Sequence, residues 1–316
     1  MQKQPAVVVV LGTGGTIAGT SAPGTDERLY QAAQLSVEQL LQAVPGLVPP
    51  VECEQVAQLD SKDMSSAVWL RLARRVAFHL TRPEVAGIVV THGTDTLEET
   101  AWFLQQVLAP ARPVVLTAAM RPATAAEPDG PANLRDAVQV AHDAEAHGVL
   151  AVMAGRVFAA RDVRKAHTQR VDAFDGGDAG PLATVSGPEV AWHRPPPRDT
   201  AWGLDRLPAD TAAWPRVDLL SSHAGVDGRV VAALRATGAR GLVAVGTGNG
   251  TLHADLDAAL QDAVAAGVVV WRASRCGAGP VTDRPGDFPG AGDLTPAKAR
   301  ITLMLALASG LTPPSA

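Results

Sequence analysis

One recurring pattern restricts what this chain can fold into. A short apolar run rich in β-branched residues ends in a turn, a segment with helical spacing follows, and the unit then repeats. Residues 6–11 are the first run, and it breaks into Gly12, Gly14, Gly15 and Gly19 with Thr13, Thr16 and Thr20 threaded between them. Ser36 with Gln39 forms a capping box for a helix through Leu40, Leu41 and Val44. Residues 66–80 place Val68, Leu72, Val76 and Leu80 on one helical face. A buried strand then ends at Val90, and Thr96 with Glu99 predicts a second capping box, for a helix burying Ala101, Leu104 and Leu108. Further strands are expected within 112–119 and 148–155, separated by a helix over 131–146. Strands alternating with helices in this way specify a mostly parallel sheet with helices on both faces.

The rhythm lapses once. Residues 192–215 carry five prolines and little periodicity, which reads as a linker. The pattern then resumes with strands within 216–222, 241–248 and 267–274, helices at 227–237 and 254–266, and a closing helix capped by Thr295 with Pro296 in its first turn. The chain is therefore expected to be α/β, with a larger N-terminal domain over 1–190, a linker over 191–212 and a smaller domain with a parallel sheet over 213–316. Its 316 residues fit two such domains.

Composition excludes several function classes. A formal net charge of -5 offers no basic surface for nucleic acid or an anionic membrane. No run of about 20 apolar residues predicts a spanning helix, and residues 1–11 lack the layout of a secretory signal. Cys53 and Cys276 are too few and too far apart for a disulfide framework, which points to a cytoplasmic setting. The eight histidines show no metal-ligand spacing, so neither a metal nor a cofactor is expected.

The first glycine turn resembles a nucleotide loop only superficially. Counting from Gly12 and Gly14, the third position of a dinucleotide fingerprint is Ile17, too large for close helix packing. Gly14 and Gly19 have phosphate-loop spacing, but Thr20 stands where the lysine is needed. The turn instead presents Thr13 or Thr16, followed by a polar stretch with Pro23 and Gly24 that reads as a mobile loop beside a site. The strand ending at Val90 runs into Thr91, Thr94, Asp95 and Thr96, so two strands carry hydroxyls to the same sheet edge, where ligands bind in such folds. Asp95 is the ionisable group there, and the capping box at Thr96 leaves it free for chemistry. Residues 161–165 add Arg161, Asp162, Arg164 and Lys165. A lysine beside a carboxylate and a hydroxyl can relay a proton, as in a nucleophile–base–orienter triad.

These motifs together resemble the bacterial-type L-asparaginase family. The resemblance rests on TGGTIAG near the start, THGTDTLEETAWFL from Thr91, SKDM at 61–64, AMRPATAAEPDGPANL, GRVFAARDVRKAHT, GTGNG at 246–250 and LTPAKAR at 294–300, in collinear order. It implies hydrolysis of L-asparagine to L-aspartate and ammonia, with weaker activity on L-glutamine. Thr16 corresponds to the nucleophile and Tyr30 to the tyrosine that positions it. Thr94, Asp95 and Lys165 correspond to the relay. Gly15, Ser61, Thr94, Asp95 and Ala119 fall among the substrate-binding positions, with Ser61 and Asp95 holding the α-carboxylate and α-ammonium groups. Asp60, where relatives often have glycine, is expected to add a carboxylate to that clamp and so favour asparagine over glutamine. Ala123 replaces a hydroxyl residue of the family pattern. The resemblance also implies a homotetramer, a dimer of dimers, with Asn249 reaching a neighbour's site and Asp283 or Asp287 supplying an acidic group there. The other readings are an amide-nitrogen-releasing amidotransferase subunit, against which the lack of an extra N-terminal domain weighs, and a non-catalytic amino-acid-binding module, against which Thr16, Thr94 and Lys165 weigh.

Overall fold

The computed structural model describes residues 6–22 and 29–310, so residues 23–28 of the polar loop expected after Thr20 lie outside the described residues. The chain divides into two compact units, 1–201 and 202–316.

The first unit is an eight-stranded sheet with its helices. In chain order its elements are β1 (Val7–Gly14), α1 (Val37–Gln42), β2 (Val51–Leu59), α2 (Ser66–Leu80), β3 (Val85–Thr91), α3 (Leu97–Leu108), β4 (Val114–Thr117), α4 (Gly130–His142), β5 (Val149–Met153), β6 (Arg156–Ala159), β7 (Arg164–Lys165), β8 (Phe174–Asp175), β9 (Ala183–Ser186) and β10 (Glu189–Trp192). The sheet order is β10-β9-β6-β5-β4-β3-β1-β2, and β7 and β8 form a separate two-stranded ribbon. Strands β5, β4, β3, β1 and β2 are parallel, while β6, β9 and β10 extend the sheet antiparallel. The antiparallel extension begins where β5 turns directly into β6 through Ala154 and Gly155, too short a connection for a crossover helix.

Successive side chains of β1 point to opposite faces. Val8 and Val10 join Val89, Val115, Leu150 and Val152 in one core with Leu134, Ala137, Val138 and Ala141 of α4 and Val37 and Leu40 of α1. Each of these is less than a tenth exposed. The helix starts largely obey local chemistry. Ser36 accepts from the Gln39 N–H while Gln39 answers the Ser36 N–H, the expected capping box. Strand β2, an edge strand of nine residues, alternates Glu52 and Glu54 with Cys53 and Gln55. Its carboxylates are held by α2 and the turn after it: Arg75 donates to Glu54 at 2.6 Å, and Arg82 to Glu52 at 2.7 Å. Charges along such an edge discourage another chain from pairing with it.

The second unit contains β11 (Val217–Ser221), α5 (Arg229–Ala236), β12 (Gly241–Gly246), α6 (Ala254–Ala265), β13 (Val269–Ser274) and α7 (Pro296–Ala308). Its parallel sheet runs β11-β12-β13 around a core of Leu242, Ala244, Leu256, Leu260 and Val270. Thr295 caps α7 by accepting from the Lys298 N–H, and Pro296 occupies the first turn, where its missing N–H costs nothing. No helix among the described residues is long and apolar enough to cross a membrane.

Candidate active site

Three neighbouring strands deliver the first groups. β1 lies between β3 and β2, with Gly12 opposite Thr91 on one side and Gly14 opposite Leu59 on the other. Because all three are parallel, their carboxyl ends meet at one sheet edge. The turn after β1 carries Thr16, the turn after β3 carries Thr94 and Asp95, and the short 3-10 turn after β2 opens with Ser61.

Glycine allows these turns to touch. Gly15 has φ +83°, and a Cβ built on it would stand 2.3 Å from the Gly93 Cα; one on Gly93 would stand 2.4 Å from the Ser61 Oγ. Side chains at either position would force the turns apart. Further bonds tie the turns together: the Gly15 N–H donates to the Leu59 carbonyl at 3.0 Å, and the Asp95 N–H donates to the Ser61 Oγ at 3.2 Å.

Lys165 arrives on the β7–β8 ribbon. Its ammonium donates to the Thr94 Oγ1 at 2.9 Å and to the Asp95 Oδ1 at 2.6 Å. Its own backbone N–H donates to the Glu98 Oε2 at 2.7 Å, which fixes the ribbon against α3. Lys165 is largely buried while Asp95 is half-exposed, and both line a hollow of about 380 Å³ with Ala166, His167 and Thr168.

Thr16 forms the second cluster. It is buried, and its Oγ1 lies 2.7 Å from the Tyr30 hydroxyl. Tyr30 is held there by a bridge between Thr20 and Gln31. The other threonine of the turn is structural: the Thr13 hydroxyl donates to the Thr91 carbonyl at 2.8 Å, between β1 and β3. Of the two hydroxyls that the turn could present, only Thr16 faces another reactive group.

Several of the expected residues have other partners within this chain. Thr96 makes no capping bond at α3; its hydroxyl donates to the Ser61 carbonyl at 2.8 Å, because the Ser61 turn packs against it. Asp60 is already engaged: it caps its own 3-10 turn and pairs with the Lys62 ammonium. The Asn249 side chain is occupied within its own unit, donating to the Thr282 carbonyl at 3.0 Å and accepting from the Thr282 N–H at 2.8 Å. Asp283 and Asp287 both pair with the buried Arg272, at 3.2 and 3.0 Å. Ala119 is fully buried beyond the end of β4. Its turn is held by Asp129, which accepts from the Met120 and Arg121 N–H groups, and by Asn133, which donates to the Ala118 carbonyl. Asp129, Asn133, Glu98 and His92 are supporting residues that the motif reading did not single out. A buried Asn on the apolar face of a helix was the one available signal.

His92 lies directly behind the Thr94 turn. It is fully buried, and burial pushes its pKa down to about 4 from the ordinary 6.5. The unfolded chain takes up that proton near pH 6.5 and the folded protein only near pH 4, so the unfolded state binds more protons between these values. Stability should therefore fall as pH drops through this window, by up to about 3 kcal/mol. Urea midpoints at pH 7 and pH 4.5 test this, and a fall equally large in His92→Phe would remove His92 as its source.

Among the described residues no cluster of His, Cys, Asp or Glu could hold a metal ion. Residues 7–198 match the Asparaginase, N-terminal family model, and residues 216–315 match the Glutaminase/Asparaginase C-terminal domain. The chain is similar to the glutaminase-asparaginase of Pseudomonas fluorescens biotype A, at 38% identity over 96% of this chain and 86% of that protein. It is 37% identical to a probable periplasmic L-asparaginase of Haemophilus influenzae, over 95% and 88% of the two chains. Among solved structures, a probable cytoplasmic L-asparaginase from Campylobacter jejuni superposes with a TM-score of 0.89 at 36% identity, covering 96% of this chain and 95% of that one.

Proposed function

Because the chain belongs to the asparaginase family and carries both its N-terminal and its C-terminal domain, we propose that it hydrolyses the side-chain amide of L-asparagine to L-aspartate and ammonia. The observation that carries the site assignment is the Lys165 ammonium bonded at once to Thr94 and Asp95, beside a buried Thr16 paired with Tyr30.

Each group has a task that its surroundings fit. The Thr16 Oγ1 attacks the side-chain carbonyl, and its proton passes by way of the Tyr30 hydroxyl, 2.7 Å away, to the departing nitrogen. Negative charge then develops on the carbonyl oxygen, where backbone N–H groups of the glycine turns can meet it. Breaking the C–N bond releases ammonia and leaves an ester on Thr16. Water hydrolyses the ester with help from the relay: it gives a proton to the Thr94 Oγ1 as the Thr94 proton passes to the Lys165 nitrogen beside Asp95, and that proton returns to the Thr16 oxygen as the ester breaks. Ser61 already accepts the Asp95 N–H, so its own hydroxyl proton remains for the substrate carboxylate. Asp95 has a second oxygen for the substrate ammonium. Ammonia release from L-asparagine and L-glutamine by the purified protein tests the reading; no release from either would overturn it.

Asparagine is the preferred substrate in this reading, with glutamine cleaved more slowly. One methylene discriminates by only about 10- to 200-fold in a pocket. The clamp must therefore supply the geometry that penalises the longer amide. With its carboxylate committed to Lys62, Asp60 is not the source of that preference. The ratio of kcat/KM for the two amides should favour asparagine in wild type and be unchanged in Asp60→Gly. A ratio that collapses in the variant would return Asp60 to the clamp.

The working assembly we infer is a homotetramer, a dimer of dimers, in the cytoplasm. Leu219 on the edge strand β11 and Val230 on α5 are 42% and 39% exposed, apolar area suited to contact with another copy. The two cysteines are unpaired, which suits a reducing compartment. Light scattering at assay concentration should give the mass of four chains, and a fully active monomer would contradict the assembly.

A further inference from the structure

Behind the site runs a chain of buried polar groups that the chemistry above does not use. The Trp69 Nε1–H donates to the Thr100 Oγ1 at 2.9 Å. Thr100 Oγ1 lies 2.9 Å from the His92 Nε2, and the His92 Nδ1 lies 2.7 Å from the Gly93 carbonyl oxygen. Trp69 is itself fixed by stacking on Phe103, with ring centroids 5.1 Å apart. All four side chains are at most 4% exposed.

The donor inventory gives this chain one direction. Indole nitrogen only donates, so Thr100 accepts from Trp69 and has its own proton to give. A neutral imidazole has one N–H and one lone pair. The carbonyl of Gly93 can only accept, so Nδ1 must carry the proton and Nε2 must accept from Thr100. His92 is thus held as the Nδ1–H tautomer. Burial, which keeps the ring neutral to about pH 4, agrees with this.

Gly93 is where this matters. With no side chain of its own to set its conformation, it sits against Gly15 and Ser61 at the junction of the three turns. In a trans peptide the carbonyl and the following N–H point in opposite directions. Pinning the Gly93 carbonyl inward aims the Thr94 N–H away from the His92 side. Thr94 is only 6% exposed, yet its backbone N–H makes no hydrogen bond to any described residue. A nearly buried donor without a partner calls for an acceptor that arrives with the ligand.

Resting on the amidohydrolase reading, we propose that His92 is a positioning residue: through its Nδ1–H it fixes the Gly93–Thr94 peptide so that the Thr94 N–H receives the oxygen of the amide under attack. Thr100 and Trp69 act at one further remove, by holding the Nε2 side of the ring in place.

Two measurements test this. Long-range 1H–15N spectra of the wild-type protein at pH 7 should show His92 protonated on Nδ1 and bare on Nε2. Kinetically, His92→Phe should lower kcat for asparagine by about 10- to 100-fold, less than deletion of an oxyanion donor, while KM stays within about threefold because the head-group clamp is untouched. His92→Asn, whose amide nitrogen can stand in for Nδ1–H, should recover most of that loss. A wild-type proton on Nε2, an unaltered kcat in folded His92→Phe, or no recovery in His92→Asn would each overturn the proposal. If His92→Phe does not fold, Thr100→Val takes its place. There Nδ1 should keep its proton while the ring, no longer held at Nε2, loosens, with a severalfold fall in kcat; an unchanged kcat would overturn the proposal. A wild-type protein that shows the Nδ1–H tautomer but releases no ammonia would instead overturn the amidohydrolase reading, leaving the hydrogen-bond chain as described.

Discussion

Replacing Lys165 by methionine should lower kcat for asparagine by about three to five orders of magnitude, with the fold intact, because members of a relay act as a unit. The aliphatic stem survives in methionine, so packing against α3 is preserved and only the ammonium is lost. What disappears is the one group that touches both Thr94 and Asp95. Lys165→Arg should rescue little: a guanidinium is larger, planar and not deprotonated at working pH. The measurement is steady-state ammonia release at saturating asparagine, beside circular dichroism to establish folding. Near-normal turnover in folded Lys165→Met would remove the relay from the mechanism and leave Lys165 as a structural tie between its ribbon and Asp95.

Gly15→Ala should be nearly as damaging, although it deletes no reactive group. The added methyl meets the Gly93 backbone at 2.3 Å, and backbone cannot swing aside as a long side chain can. The φ of +83° adds a strain that alanine does not tolerate well. The turns after β1 and β3 must separate, taking Thr16 away from the Thr94 turn. A displacement near 1 Å between attacking and receiving groups can cost about a hundredfold, so a loss of at least that size is expected. Stability should fall as well, and a thermal scan of the variant separates the two effects. Gly46→Ala is the control. It too has positive φ, but nothing lies within 4 Å of its added methyl, so strain appears there without a clash. Full activity in Gly15→Ala would show that the turns need not touch.

The sheet and the reactive groups were legible for different reasons. Strands such as β1 and β3 are buried on both faces and announce themselves as unbroken apolar runs. The turns after them were readable because glycine and threonine there serve no helix or strand. Strand β2 was harder, since an edge strand whose carboxylates are satisfied by Arg75 and Arg82 carries half its pattern on another element. Thr96 misled because a capping signature is local, whereas the Ser61 carbonyl that claims its hydroxyl is 35 residues away in sequence. Asp60 misled in the opposite direction, its partner Lys62 being only two residues on. His92 was invisible as a participant because nothing in THGTDT says that its two nitrogens face Thr100 and Gly93.

The separation of 71 positions between Thr94 and Lys165 has a consequence for how the protein comes into being. Thr16, Tyr30, Ser61 and Asp95 all leave the ribosome before the strand that completes their site. Until β7 is made, Asp95 has no ammonium beside it, and β1 must wait for β3, whose first paired residue lies nearly 80 positions on. Parallel pairing over such separations is slow, because chain closure precedes the contacts that reward it. A nascent chain halted before residue 160 would hold an attacking hydroxyl but no relay to carry its ester on to hydrolysis. Amidase activity would then switch on late in synthesis, as a single event tied to the arrival of the β7–β8 ribbon.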